Sequence, residues 1–426
     1  MQFRDRHVHF VGIGGAGLSA IARVLVEQGA QVSGSDLVLS PVAEALARDG
    51  ARVFVGHRAE NVAGAEMVVV SSAVPASNVE LQAARAAGIP VWKRPAFLAR
   101  MMEGRLGIAV AGTHGKTTTT AMVASVLLEA GLDPTFIVGG VIAGLETNAR
   151  AGGEPFFLIE ADEYDRTFLS LRPTVAVVTN VEHDHPDCYP TFADFRAAFE
   201  EFVALVPPEG LLVVCWDDPV ARELGQQRRA VGAAVTFFGL GDGAEMRAEE
   251  VRPNFAGGTD FLAMRGARML GLVRLRVPGA HNASNAMAAL AVADFFDVSV
   301  RVAREALRGF RGVGRRFEVK GEAGGVVVVD DYAHHPTEIR ATLQAARERF
   351  PGRPLWAVWQ PHTYSRTVTL LEEFTQAFDE ADHVIILPVY AARETDTLGV
   401  SSADVVAAME HPDARCARSR DEAVVW

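Results

Sequence analysis

Short apolar, β-branched runs alternate with longer stretches of helical spacing along almost the whole chain, and no other feature constrains the fold as much. VHFVG (8–12), QVSG (31–34), RVFVG (52–56) and MVVVS (67–71) read as strands. GLSAIARVLVEQ between the first two has helical spacing and stops at Gly29. Strands separated by helices imply parallel α/β architecture. WKRPAFLARMMEGR (92–105) reads as a connecting helix with a basic start, and a fresh strand, LGIAV, opens at Leu106. A helix through TTAMVASVLLEA, ended by Gly131, and buried strands FFLIE and AVVTN follow. Residues 240–275 read as an antiparallel excursion or long loops, and GAHNASNAMAALAVADFF as an alanine-rich helix. Closely spaced glycines in GFRGVGRRFE suit a hinge, after which VVVVDDY, LWAVWQ and HVIILPV resume the rhythm. The expected units are 1–102, 103–313 and 314–426.

Nearly half of the 426 residues are apolar, enough for two or three domains that each bury a core. A formal net charge of −12 argues against a nucleic-acid surface but leaves room for small anions held by loops and a few arginines. Cys188, Cys215 and Cys416 are scattered, without a pair at metal-ligand spacing, which reads as structural thiols in a reducing, cytoplasmic setting. MQFRDRHVHF lacks the apolar centre of a secretory signal, and no apolar run nears the ~20 residues that span a bilayer. The expectation is a cytoplasmic monomer or homodimer without membrane or nucleic-acid partners.

Two glycine loops sit where a strand gives way to a helix. In GIGGAG, Gly12, Gly14, Gly15 and Gly17 let the backbone approach a diphosphate at a helix N-terminus. Asp36 ends the next strand, where an acid can meet a ribose hydroxyl. Read alone, the loop fits NAD as well as any other diphosphate nucleotide, or a tight turn without ligand. The second loop, AGTHGKTTTT (111–120), has valine at 110 where the usual first glycine would stand. Its backbone from Gly112 through Thr113, His114 and Gly115 can still cradle phosphates, with Lys116 reaching the outer ones and the Thr117 hydroxyl reaching Mg²⁺. EADEYD (160–165) and VEHDHPD (181–187) each follow a strand, at the end where open α/β sheets bind ligands, and offer oxygen donors for a Mg²⁺–nucleotide. Solvated acidic turns are the ordinary alternative.

GTHGKTTTT, EADEYD, TNVEHDHPD, GAHNASNAMAAL, GVGRRFE, DDYAHHPTE and QPHTYSR stand in the order found in the Mur ligases, and the sequence from residue 7 to about 420 resembles that family, in particular its alanine-adding branch. The resemblance implies three α/β domains: a Rossmann-like domain for a UDP-sugar, a central P-loop-type ATPase domain with a parallel sheet, and a Rossmann-like third domain that closes over the site. It implies ATP and Mg²⁺ as cofactors, with UDP-N-acetylmuramate and L-alanine as substrates, joined through an acyl phosphate on the lactyl carboxylate. GIGGAG, with Ser19 behind it, then holds the UDP diphosphate, with Asp36 and His57 near the uridine. Lys116 and the loop around it, Thr118 included, hold ATP phosphates. Thr117, Glu160 and His185 form the Mg²⁺ shell, although imidazole is an unusual ligand for so hard a cation. Asn282 and Asn285 match adenine contacts, or else cap and pack their helix. Arg316 approaches the terminal phosphate, Arg315 is a general positive contact, and Asp331 lies near the nucleotide. Tyr332, His334, His335, His362 and Arg366 face the amino acid or muramoyl group, with Arg366 suited to a carboxylate; a buried, hydrogen-bonded histidine is the plainer reading of each imidazole.

The sequence departs from the family pattern in three places. No lysine stands near Glu200, where some members carry a carbamylated one. Thr363 replaces an arginine of other members. The sequence stops at DEAVVW, before the glycine-rich ending usual in the family, so the third domain is expected to be truncated. Three rival readings lie beside this one: a ligase joining a whole tripeptide to the same sugar nucleotide, a nicotinamide-dependent oxidoreductase, and a non-catalytic nucleotide switch.

Overall fold

The computed structural model describes residues 3–153, 155–392 and 394–425. The first unit is a parallel sheet of β1 (His7–Val11), β2 (Gln31–Asp36), β3 (Arg52–Val55), β4 (Met67–Val70) and β5 (Val91–Lys93), in the order β3-β2-β1-β4-β5. The strands expected here are all present. The edge strand β5 falls within the stretch read as entirely helical, whose helix begins only at Arg94 and ends at Met102. The order reverses next to β1, so the GIGGAG turn after β1 lies at the crevice between β2 and β4.

The central sheet contains β6 (Leu106–Ala111), β7 (Thr135–Ile142), β8 (Thr147–Arg150), β9 (Phe156–Glu160), β10 (Val175–Val178), β11 (Leu211–Cys215), β12 (Val235–Gly239), β13 (Met246–Pro253), β14 (Thr259–Arg265) and β15 (Arg268–Arg274). Its order is β15-β14-β13-β12-β11-β10-β6-β9-β7-β8. The pairs from β12 across to β7 are parallel, and β13–β14–β15 form the antiparallel excursion expected in the 240–275 region. β6 lies between β10 and β9, which puts the phosphate-type loop between the two acidic strand ends.

The third unit has an antiparallel hairpin, β16 (Glu318–Ala323) with β17 (Val326–Asp330), and a separate parallel sheet of β18 (Trp356–Trp359), β19 (His383–Ile386) and β20 (Ala414–Cys416). No ladder joins β17 to β18 among the described residues. A cleft of about 1010 Å³ lies there instead, lined in part by Val326, Trp356 and Val358.

One apolar cluster runs without a break from the first sheet through Phe97, Met101 and Met102 into the central sheet. The third unit packs around its own core, built on Ile339, Trp359, Phe374 and Phe378. The first two units therefore share one core, and the third has its own. Among the described residues, no helix is long and apolar enough to cross a membrane.

Candidate active site

β6 ends at Ala111 and the helix Lys116–Glu129 starts after a turn made by residues 112–115. The backbone there needs glycine. Gly112 has φ +133°, and a Cβ on it would lie 1.9 Å from Thr179 Oγ1; Gly115 has φ +78° and faces Asn285 Oδ1. The turn is fastened to the end of β10: Thr179 Oγ1 donates to His114 O (2.5 Å), His114 N to Asn180 Oδ1 (2.8 Å), and Thr113 Oγ1 to Glu182 O (2.9 Å). Lys116 folds back over this turn, donating from Nζ to Gly112 O (2.5 Å), Thr113 O (3.0 Å) and Glu163 Oε1 (2.9 Å). Burial works against its charge, but the Glu163 carboxylate outweighs that and raises the lysine above its ordinary range.

Thr117 Oγ1 donates to Glu160 Oε1 (2.9 Å), whose second oxygen accepts Gly139 N (2.6 Å). Burial pushes the Glu160 carboxyl up, as expected of an acid set among few countercharges. Hydroxyl and carboxylate oxygens side by side, next to the phosphate turn, suit a hard divalent cation. His185, the third expected ligand, has its Nε2 3.5 Å from Glu163 Oε1 and 3.7 Å from Asp184 Oδ2. Glu163, 1% exposed, therefore links Lys116 to His185. It stands within EADEYD, but its role depends on contacts that only the fold creates.

The third unit reaches this centre from the opposite side. Arg316 donates to Glu338 Oε1 (3.2 Å) and stacks on Tyr332 with its guanidinium 5.4 Å from the ring centre; Arg315 covers the same ring at 4.6 Å. Asp331 accepts from Phe317 N (2.7 Å) and Ala333 N (2.8 Å), so it braces the turn that presents Arg316. Arg366, 3% exposed, donates from Nε to Asp184 Oδ1 (2.7 Å) and from Nη1 to His362 Nδ1 (2.9 Å). Its Nε is thus engaged by a carboxylate of the central unit. Burial, together with the Arg366 charge, lowers His362 to about 4, leaving a neutral ring whose Nδ1 accepts from Arg366. His334 lies near the same acid, with Nε2 3.8 Å from Asp184 Oδ2. Thr363 has φ +67° and caps the helix Tyr364–Thr369 by accepting Arg366 N at 3.4 Å.

Between the units lies a cavity of about 160 Å³, lined among others by Gly115, Thr118, Asn282, Asn285, Arg316 and Asp331. The expected nucleotide residues therefore converge. The volume is below the roughly 300–1,000 Å³ of ligand pockets, so a nucleotide requires the third unit to move outward. Asn282 Nδ2 donates to Pro278 O (2.7 Å) and Asn285 Nδ2 to Asn282 Oδ1 (3.3 Å), so here both amides also brace their own helix. His281, in the same wall, is lowered to about 4 by burial.

At the first loop, Gly15 caps the helix Ala16–Glu27 and Gly14 N donates to Asp36 Oδ2 (2.9 Å). Ser19 turns its hydroxyl onto Ala16 O (3.1 Å) inside the helix. His57 Nδ1 lies 2.9 Å from Ser35 Oγ and 3.2 Å from Glu80 Oε2, beside the same strand ends. Glu80 is fully buried and takes hydrogen bonds from Ser35 and Asn61, both at 2.5 Å. Arg94 was not anticipated. Its Nε stands 2.8 Å from where a Gly17 Cβ would lie, its Nη1 is 3.4 Å from Asp162 Oδ2, and Nε is buried without a hydrogen-bond partner. A guanidinium at the mouth of an anion-type loop, bridging to the first acidic strand end, EADEYD, offers a charge that the glycines lack. The basic start of WKRPAF was its only trace in the sequence.

The comparisons with known proteins agree with this geometry. Residues 7–106 match the model of the Mur ligase family catalytic domain, 110–293 the Mur ligase middle domain, and 315–426 the Mur ligase glutamate ligase domain. The chain is 48% identical over 408 residues to the UDP-N-acetylmuramate–L-alanine ligase of Solibacter usitatus, covering 95% of this chain and 85% of that one. It is 43% identical to the enzyme of the same name from Desulfosudis oleivorans, covering 100% and 93%. The crystal structure of the UDP-N-acetylmuramate–alanine ligase from Thermotoga maritima superposes with a TM-score of 0.80 at 30% identity, covering 96% of this chain and 90% of that one. A murein peptide ligase from Psychrobacter arcticus gives 0.71 at 27%, covering 97% and 95%. With all three domain models matched in order, and the loop, acidic strand ends and third-unit arginines meeting at one centre, the chain belongs to the Mur ligase family.

Proposed function

We propose that this protein is the cytoplasmic, ATP-dependent ligase that joins L-alanine to the lactyl carboxylate of UDP-N-acetylmuramate during peptidoglycan precursor synthesis. The observation that carries the reading is the convergence of Lys116, Glu160, Arg316 and the His334–His362–Arg366 group on one centre, next to a separate diphosphate-type loop. In this assignment, residues 1–102 hold the sugar nucleotide, 103–313 the ATP, and 314–426 the amino acid.

The lactyl carboxylate attacks the γ-phosphorus of ATP, the bond to the β-phosphate oxygen breaks, and ADP leaves an acyl phosphate. L-alanine's amine then attacks the acyl carbon, and inorganic phosphate departs from the tetrahedral intermediate. Lys116 and Arg316 neutralise the phosphate charge that opposes the first step, so the protein contributes mainly position and electrostatics. Mg²⁺, held by Thr117 and Glu160, would add charge at the phosphates. Gly12 to Gly17 and Arg94 hold the UDP diphosphate and so set the distance between the carboxylate and ATP. The α-amino group, with a pKa of about 8, is partly neutral near pH 7.5, so the attack on the acyl phosphate needs no strong general base.

The test is phosphate release from ATP and UDP-N-acetylmuramate, comparing L-alanine with the L-alanyl-γ-D-glutamyl-diaminopimelate tripeptide. Release with alanine is expected. The likeness to a murein peptide ligase supports the tripeptide as the second reading, and release with tripeptide alone would replace the first.

A further inference from the structure

We propose that His114, Glu182 and His335 form a binding site for a first-row transition-metal cation of the Zn²⁺ class, separate from the oxygen-rich site at Thr117 and Glu160, and that filling it pins the third unit onto the phosphate loop. Among the described residues, these are the one group of three or more His, Cys, Asp or Glu side chains whose ligand atoms all lie within 4.8 Å of one another. Two of the separations are already short: His114 Nε2 to Glu182 Oε2 is 3.3 Å, and His335 Nδ1 to the same oxygen is 3.6 Å. Tetrahedral zinc with bonds of roughly 2.0–2.1 Å sets neighbouring ligand atoms about 3.3 Å apart.

His114 and His335 are 9% and 4% exposed. Each ring turns one nitrogen, His114 Nε2 and His335 Nδ1, to Glu182 Oε2, and these are the atoms that would meet the metal. His335 Nδ1 accepts only a long bond, 3.3 Å, from Thr337 N. Outer contacts of the kind that orient metal ligands are present as well. Glu338 Oε1 stands 3.5 Å from His114 Nδ1, and Thr337 Oγ1 donates to Glu182 Oε2 at 2.6 Å. The dication would take the place of the proton that Glu182 and Glu338 hold on His114, and with both imidazoles then neutral the two carboxylates balance its charge. Glu182 is 35% exposed at its side chain, which leaves an entry path and a fourth position for water. Two imidazoles and one carboxylate suit Zn²⁺, Co²⁺ or Ni²⁺, whereas Mg²⁺ prefers oxygen ligands throughout.

The ligands come from three segments: His114 from the phosphate turn, Glu182 from the end of β10, and His335 from the cap of the helix Pro336–Arg349. Moving the third unit outward, which a nucleotide requires, takes His335 away from the other two. Bound metal therefore holds the closed form and slows nucleotide entry. The metal site itself is independent of which amino acid the enzyme accepts.

Co²⁺ serves as the spectroscopic probe, titrated into the full chain in the presence of excess Mg²⁺. We expect one Co²⁺ per chain with the strong visible bands of four-coordinate geometry, abolished by an equivalent of Zn²⁺. Glu160→Gln should keep the bands. His335→Gln and Glu182→Gln, checked for native circular dichroism, should each lose them and weaken binding by at least about 100-fold. Two independent variants guard against one that misfolds. No bands in the wild type, bands retained in both ligand variants, or bands lost in Glu160→Gln would each overturn the proposal.

Discussion

The Arg366–Asp184 pair is the most exacting test of how the third unit is held. The contact is 2.7 Å, the two side chains are 4% and 3% exposed, and the residues lie on bodies with separate cores. Removing one member of such a pair leaves an unpaired buried charge, at a cost of about 3–5 kcal/mol. Opening rehydrates that charge, so the cost falls on docking and spares the fold of either body. The two deletions should also differ. In Arg366→Met, Asp184 keeps His185 and His334 at 3.7 and 3.8 Å from its other oxygen, giving a loss near the lower limit. In Asp184→Ala, the Arg366 guanidinium retains only His362 and cannot discharge itself, giving a loss near the upper one. The docking constant should therefore fall roughly a hundredfold in the first and up to several-thousand-fold in the second. Small-angle scattering without nucleotide should show a larger radius of gyration for both, and amide exchange should quicken in residues 181–187 while the cores stay protected. The double variant should lose less than the sum of the single losses. If both single variants kept the wild-type radius and exchange pattern, this pair would not be what closes the molecule.

Four further outcomes can be checked. Lys116→Ala should bind UDP-N-acetylmuramate with unchanged affinity, yet lose acyl-phosphate formation by at least about 100-fold; retained ligation would refute the division of work between the two loops. Glu163→Gln removes the carboxylate 2.9 Å from Lys116 Nζ, so ATP should bind up to roughly tenfold tighter by calorimetry, from one charge-assisted hydrogen bond no longer to be displaced; weaker binding would contradict this. Burial pushes the Glu80 carboxyl up, but the His9 imidazole 3.6 Å away and donors from Ser35 and Asn61 bring it down to about 2. Because the folded value lies below the unfolded 4.5, this stabilisation is complete above pH 4.5 and is lost as pH falls through about 2. About 3 kcal/mol of stability should thus disappear across that acid window, and Glu80→Gln should flatten that limb of the denaturation profile. Finally, one methyl group separates alanine from glycine, worth about 1–3 kcal/mol, so glycine and serine should be slow but measurable acceptors. No product with either at saturation would exclude a simple methyl pocket.

What was legible in the sequence was whatever depends on neighbours along the chain. The turn at 112–115 announces itself because strand, glycines and lysine are contiguous, and the acidic runs sit immediately after strands. Glu163, Arg94, Glu338 and Glu80 were missed for the opposite reason. Glu163 meets Lys116 across 47 positions, and Arg94 meets Asp162 across 68, so no local pattern marks them. His185 shows the same limit: its motif position gives no sign that the ring lies 3.5 Å from Glu163 and 3.7 Å from Asp184. Of the third unit's strands, β17, β18 and β19 were readable one by one, whereas β16 and the three-residue β20 were not. The gap between β17 and β18 was not, because sheet pairing is a long-range choice that strand propensity does not specify.

Each cation around the centre is seated on a buried carboxylate: Lys116 on Glu163, Arg316 on Glu338, Arg366 on Asp184, and His114, raised to about 9, between Glu182 and Glu338. Burial opposes that charge on His114, and its two acids more than offset it. Cations left bare in so enclosed a place would unfold or discharge, so the acids allow several cations to be gathered at one centre before any substrate arrives. They also filter what can bind. A monoanion that displaces one carboxylate exchanges like for like and gains little. A polyphosphate reaches Lys116 and Arg316 together and brings more charge than either acid it displaces. Glu338 serves both Arg316 and His114, so an anion that takes Arg316 leaves this carboxylate to His114 alone. The nucleotide cavity and the third unit's contact with the phosphate turn therefore share a single side chain.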